Sequence, residues 1–483
     1  MRYKWKTLAA VAFGTYVATM DMSIVNIALP TLSCEFNVSP DTIIWATLIS
    51  SLVATGLTLT AGRAGDLFGR KRVYVLGWVI FTTGMAVAAF VQSIEQLIAA
   101  RAFQSIGSAM AIGNSNAIVA EGFPDAERGR ALGTTGAVVG AGLMSGPILG
   151  GLILDVFDWR AIFYLRIPIG LIAMMLALVI VREQGRRSSD RHFDLFGAVT
   201  LFVALAATLL AVNRGQSWGW SSPQVLGLLA TGALSLAAFI AIEARDASPI
   251  ISLALFRIRT FAASVLCLIL NFLGQAAVTF LMPFYLIQVR GYSTAQAGLV
   301  IGILPAMMLA LSSYSGYLSD RYRFRYQVPI GLACCSLGLL SLATLQPETP
   351  MTLIMLRLAL VGVGSAIFMS PNSSMIMSSV PRSRFGTASA SVATARNIGN
   401  AAGLALAGTV LVSVASAAAG ISGVRADQLP SQALLDGIHA GFLVGAGISC
   451  FAILAALLSH DASRPAEHAP ATVDRQPVRT SSR

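Results

Sequence analysis

The chain has 483 residues, of which 55% are hydrophobic and 11% charged, against about 25% charged in an ordinary soluble domain. That composition excludes a water-soluble globular protein. The net charge of +11 raises nucleic-acid binding as a reading, but the placement of the basic residues, described next, excludes it.

Runs of about 20 apolar residues, the length that crosses a bilayer, predict an all-α polytopic membrane protein with fourteen transmembrane helices. The spans are 8–29, 42–61, 74–92, 97–120, 131–154, 161–181, 195–212, 224–242, 261–286, 295–317, 327–345, 351–371, 386–413 and 438–458. An even number places both termini on one side. With the N-terminus in the cytoplasm, 25 of the 33 Lys and Arg fall in cytoplasmic segments, the asymmetry of a multispanning protein. Outer loops hold Arg160, Arg214, Arg290 and Arg425, and the spans themselves hold Arg101, Arg166, Arg357 and Arg396. The expected location is the plasma membrane, the inner membrane of a bacterium, with both termini cytoplasmic. The opening MRYKWK and its apolar run read as a retained first span, because the run is too long for a signal peptide and lacks a small-residue cleavage site.

In the first span, Asp21 lies about 20 Å from the cytoplasmic end by helical rise. A carboxylate at that depth costs about 2.5 to 3.5 kcal/mol and marks an ion or proton pathway. The first cytoplasmic turn carries Gly62, Asp66, Gly69, Arg70 and Lys71. Its glycines permit a tight turn and its basic run anchors at an anionic leaflet, so it reads as a gating latch, with Glu121 at the end of the fourth span as a partner for Arg70. The fourth span places Arg101 and Gln104 on one polar face, within reach of Asp21. The fifth carries Gly133, Gly142, Gly146, Pro147, Gly150 and Gly151. Gly142, Gly146 and Gly150 recur every four residues and form a smooth face for close helix approach. In the ninth span Asn271, Gln275 and Thr279 form one polar stripe, which either lines a substrate cavity together with Gln104 and Asn372 or bonds neighbouring helices.

The chain repeats itself at an offset near 256 residues. Arg101 recurs as Arg357, Asn116 as Asn372, Gly62 and Asp66 as Gly316 and Asp320, Arg128 as Arg384, and Gly142 and Gly146 as Gly399 and Gly403. The predicted organisation is a six-helix bundle over 1–187, a two-helix insertion over 188–255, a second six-helix bundle over 256–460 and a disordered cytoplasmic tail over 461–483.

The turn from Gly62 to Arg72 resembles the loop signature of the major facilitator superfamily, with a degenerate copy at Gly316, Asp320 and Arg321. Gly133 to Gly151 resembles the antiporter signature of its proton-driven exporters. The string Asp21 to Pro30, Trp45 and the stretch Trp159 to Gly170 are similar to the fourteen-span drug/proton antiporter branch, with departures at Ser50, Ser105 and Arg166, the last standing where that branch commonly has Asn. The resemblance implies multidrug efflux of small amphiphilic molecules by proton-coupled antiport, with the loop bridging the two halves; the depth of Asp21 and the facing Arg101 make these two the expected proton-coupling pair. The same fold also serves exporters of lipids or endogenous metabolites, and a non-transporting membrane sensor or enzyme is the remote alternative.

Gly65 to Gly69 lacks the rest of a nucleotide-phosphate loop, so neither ATP nor another nucleotide is expected as partner, and protons supply the energy. The five cysteines lack metal-type spacing, no metal or other cofactor is implied, and a monomer is expected. Counting embedded charges, Asp21 alone against four arginines favours neutral, monocationic or weakly anionic substrates over dications. The latch reading carries its own test: Asp66→Asn is expected to lower transport severalfold in vesicles while the amount of membrane-inserted protein on immunoblots stays at the wild-type level.

Overall fold

A computed structural model describes residues 2–123, 125–183, 195–244, 253–322, 326–380, 385–419 and 430–460. The expected tail over 461–483 lies outside these. The described residues are helical, without a strand, in the order α1 (Arg2–Glu35), α2 (Pro40–Ile43), α3 (Trp45–Phe68), α4 (Arg70–Ala88), α5 (Ile94–Gly122), α6 (Asp125–Val156), α7 (Ala161–Tyr164), α8 (Ile167–Ile180), α9 (Leu195–Trp218) and α10 (Pro223–Glu243). There follow α11 (Leu253–Phe256), α12 (Arg259–Phe284), α13 (Thr294–Ile301), α14 (Ile303–Tyr322), α15 (Gln327–Leu342), α16 (Met351–Ser378), α17 (Phe385–Ala419) and α18 (Ser431–His460). Among the described residues, eleven helical segments are long and apolar enough to cross a membrane. The remaining expected spans fall on α4, α5 and α15, of which α15 has 16 residues and α5 carries the charged and amide side chains of the site described below.

Local chemistry sets the helix ends. Ser93 accepts from the Gln96 amide at the start of α5, Ser222 from the Val225 amide at α10, and Ser293 with Gln296 closes a reciprocal capping box at α13. Gly69 joins α3 to α4 at φ +106°, a conformation that side-chain-bearing residues rarely adopt.

The surface is apolar and the interior holds the polar groups. Phe90, Phe196, Val156, Val179 and Leu234 are each more than 70% exposed, whereas Asp21, Arg101, Gln104, Asn114, Arg166, Asn271 and Asn372 are buried. In a hydrocarbon solvent this is the stable arrangement, because every backbone bond is closed within a helix and polar side chains find partners only inside the bundle.

Glycines bring specific helices into backbone contact. A Cβ at Gly107 would collide with the backbone of Phe81 and the Gly77 carbonyl, joining α5 to α4, and one at Gly364 would meet Cys335 and the Gly331 carbonyl, joining α16 to α15. Likewise Gly146 lies against α1 and Gly403 against α12. The pair α9 and α10 packs through Gly232 against Thr208. Helix α9 also touches α3, through Phe202 at Gly56 and the Trp45–Asn213 hydrogen bond of 2.7 Å, and α17, through Thr409 donating to the Val212 carbonyl.

The α4–α5 contact gives a stability test. Gly107→Val forces two backbones apart, and overpacking of this kind costs about 1 to 3 kcal/mol. The purified variant is expected to unfold at lower temperature than wild type in the same detergent.

Candidate functional site

Asp21 lies midway along α1 and is 4% exposed. Its carboxylate accepts three hydrogen bonds, from Arg101 Nη1 at 2.8 Å, from Arg166 Nη1 at 2.5 Å and from Gln104 Nε2 at 3.0 Å. The donors converge from separate elements. Arg101 and Gln104 are one turn apart on α5, and Arg166 closes the short bend between α7 and α8. Arg101 also donates to Gln104 Oε1 at 2.7 Å and, through Nε, to the Ala46 carbonyl on α3 at 3.2 Å. Arg166 Nε donates to the Ile162 carbonyl, and its guanidinium lies 5.7 Å from the Phe163 ring centroid.

One carboxylate thus faces two guanidiniums that are 0% and 2% exposed. Its attraction to both offsets part of the large cost of burying three charges, but one positive charge is unmatched. Arg101 Nη2 and Arg166 Nη2 are both buried without a hydrogen-bond partner. Sequence reasoning joined Asp21 to Arg101 and left Arg166 as an embedded cation without a role. The signal that could have placed it is charge balance, since an arginine within a span seeks a carboxylate and Asp21 is the deep one.

Helix α1 is seated on α6 by the glycine face. Side chains at Gly142 and Gly146 would collide with Thr19 and Ser23, and one at Gly150 would lie 2.7 Å from Ile24 and Ile27. Ser23 Oγ donates to the Gly142 carbonyl at 3.4 Å. A neighbouring face of α6, about 100° round the helix, meets another partner. A Cβ at Gly151 would collide with the Thr294 carbonyl, and one at Gly298 with the Pro147 carbonyl; Thr294 Oγ1 donates to the Gly151 carbonyl at 3.0 Å. The glycine-proline segment therefore has two faces, one holding the helix that carries Asp21 and one closing against α13.

The polar stripe of α12 runs between helices of the second half of the chain. Gln275 Nε2 donates to Ser365 Oγ at 2.7 Å, and Asn372 Nδ2 donates to the Ser264 carbonyl at 3.2 Å. Between them Asn271 is buried with neither amide atom paired, and Thr279 is partly exposed two turns further on. In the turn at Gly69, Gly62 packs on the Gly113 carbonyl and Gly65 on Asn114. Arg70 opens α4, and Lys71 Nζ donates to the Leu178 carbonyl at 2.8 Å. The side chains of Asp66, Glu121, Asp320 and Arg321, and position 133, lie outside those described. Among the described residues no group of His, Cys, Asp and Glu is arranged to hold a metal ion.

Comparison with known proteins places these features in a family. The model of the Major Facilitator Superfamily matches residues 11–404. The chain is 33% identical over 409 residues to the riboflavin transporter RibZ of Clostridioides difficile, covering 84% of this chain and 88% of that protein. It is 34% identical over 412 residues to the multidrug resistance protein Stp of Mycobacterium tuberculosis, covering 85% and 76% respectively. Its fold matches, at a TM-score of 0.70 and 16% identity, the inward-facing, unoccupied structure of a bacterial homologue of the human lysosomal transporter Spinster, over 96% of this chain and 98% of that one.

The unequal charges of the site predict unequal costs. Asp21→Asn leaves two buried guanidiniums facing an amide and is expected to destabilise the protein by about 3 to 5 kcal/mol, the range for breaking a buried pair. Arg166→Gln leaves Arg101 matched by Asp21 and is expected to cost much less. Unfolding of both variants in one detergent, followed by helical circular dichroism, checks the order.

Proposed function

The chain belongs to the major facilitator superfamily, a family of transporters, and from that premise we propose that it is a proton-coupled antiporter that exports small amphiphilic molecules by alternating access. The observation that carries the proposal is Asp21, a carboxylate deep in an apolar bundle, bonded by donors from other helices and carried on a helix whose seat, α6, also forms the seam to α13. Rocking of one half against the other changes that seam and the spacing of α1 from α5 together. Withdrawal of the guanidiniums exposes the carboxylate to a proton, and their return displaces it. Substrate binding and protonation of Asp21 then belong to opposite states of the bundle. One proton crossing about 100 mV supplies about 2.3 kcal/mol, which suffices to drive export without a nucleotide.

In this reading the chain has fourteen spans arranged as six, two and six. Both termini are in the cytoplasm, the membrane is the bacterial inner membrane, and a monomer is the working unit. The turn at Gly62, Asp66, Gly69 and Arg70, with its counterpart at Asp320 and Arg321, is the cytoplasmic latch. The relative named a multidrug resistance protein supports drug efflux. The relative named a riboflavin transporter supports a second reading, transport of an endogenous metabolite, in which the same coupling acts on a narrower substrate.

Export by energised everted vesicles tests the proposal. Wild type is expected to accumulate a transported amphiphile and to lose it when a protonophore is added. Asp21→Asn should abolish the proton-dependent component. Gly146→Leu, which pushes α1 off α6, should stop exchange even where the protein is inserted in normal amounts. Accumulation that persists with the protonophore, or in Asp21→Asn, would overturn proton coupling through this residue.

A further inference from the structure

The charge of the interior is unbalanced beyond the knot at Asp21. Arg396 lies in the first half of α17, half-buried, and among the described residues no carboxylate pairs with it. One turn further along the same face, Asn400 Nδ2 donates to Ser51 Oγ on α3 at 3.2 Å, so this side of α17 faces the first half of the chain. Arg357, by contrast, has a neutral acceptor, the Ser341 carbonyl at 2.6 Å. The other acids of the described helices stand toward helix ends, among them Glu35, Asp41, Glu95, Asp155, Glu243 and Asp436. Asp21 therefore serves Arg101 and Arg166, and Arg396 is without a carboxylate partner among the described residues.

The two unmatched positions are at different depths. Arg101 is fixed at the level of Ala46, near the start of α3. Asn400 is level with Ser51, and Arg396 is one turn beyond it, away from Arg101. At 1.5 Å per residue the separation along the bundle is roughly 13 Å. A half-buried cation without a counter-charge is costly in an apolar bundle, and an anionic ligand supplies the missing charge.

We infer that the substrate carries a negative group, a carboxylate or an acid of similar charge, held by Arg396 between the two halves, and that the spare positive charge of the Asp21–Arg101–Arg166 knot favours the same sign. This rests on the transport reading and narrows its substrate class from neutral, monocationic or weakly anionic amphiphiles to organic anions. Arg166 contributes as a positioning and charge-balancing residue, while Arg396 touches the ligand.

The test uses the full chain in detergent and two matched series, naphthalene and biphenyl, each as carboxylate, carboxamide and aminomethyl compound. Equilibrium dialysis against empty micelles measures binding without any gradient. In at least one series the carboxylate is expected to bind about tenfold or more tightly than its carboxamide, a difference of about 1.4 kcal/mol. Arg396→Gln should erase that preference, and Arg396→Lys should restore part of it. Arg166→Gln should reduce it without erasing it. Equal binding of acid and amide in both series, or tighter binding of the aminomethyl compounds, overturns the inference, as does a preference that survives Arg396→Gln.

Replacing gluconate by chloride at the same concentration separates two sources of negative charge. Unchanged carboxylate binding supports an organic anion, whereas its loss marks a site for an inorganic anion and overturns the substrate assignment. Because binding is read without a proton gradient, a carboxylate preference together with no proton-driven export in vesicles would sink the antiport reading and leave this inference standing.

Discussion

Everything distinctive about the interior depends on one carboxylate held between two guanidiniums away from water. Charges in hydrocarbon persist only when paired or solvated within the protein, so Asp21, Arg101 and Arg166 fix one another's positions. The helices that carry them, α1, α5 and the bend before α8, are thereby tied at one level of the bundle. Gln104 completes the arrangement by accepting from Arg101 and donating to Asp21. Since the positive charges outnumber the negative, the knot is paired but not neutral, and one nitrogen of each guanidinium is left without a partner.

The rest of the scaffold sets how this knot can move. Helix association in a membrane rests on close packing rather than on expulsion of water, and the glycines of α6 supply it on two sides. The face toward α1 is interlocked with side chains of Thr19, Ser23, Ile24 and Ile27, and the face toward α13 is made of backbone against backbone at Gly151, Thr294, Pro147 and Gly298. A seam between smooth backbones can part and re-form with little side-chain rearrangement. In the antiport reading this makes α6 the element through which motion between halves reaches Asp21.

The pair α9 and α10 has a different place. Helix α9 touches both α3 and α17, while α10 exposes Leu226, Leu234, Leu236 and Ile240, a surface suited to lipid. Trp45 bonded to Asn213 and Arg214 beside Asp41 at 3.4 Å tie α9 to the start of α3 and to α2 before it. Helices α9 and α10 thus brace one flank of the bundle without contributing to the knot.

The sequence by itself determined the solvent, the helical class and the regions where helices run, because hydrophobic length and charge placement are local properties that a bilayer reads directly. It also singled out Asp21, since a lone acid inside an apolar run is costly in any packing, and it placed Arg101 near enough to meet it. Arg166 escaped because its partner is 145 residues away in the chain, and nothing local distinguishes an arginine that finds a carboxylate from one that reaches toward a membrane surface. The stripe at Asn271 and Gln275 was equally open between lining a cavity and bonding neighbours, and the tertiary structure pairs Gln275 with Ser365. The glycine spacing of α6 foretold one smooth face. That the segment has two, toward α1 and toward α13, was decided only by which helices came to lie beside it, for close approach is a relation between surfaces and a single helix carries half of it.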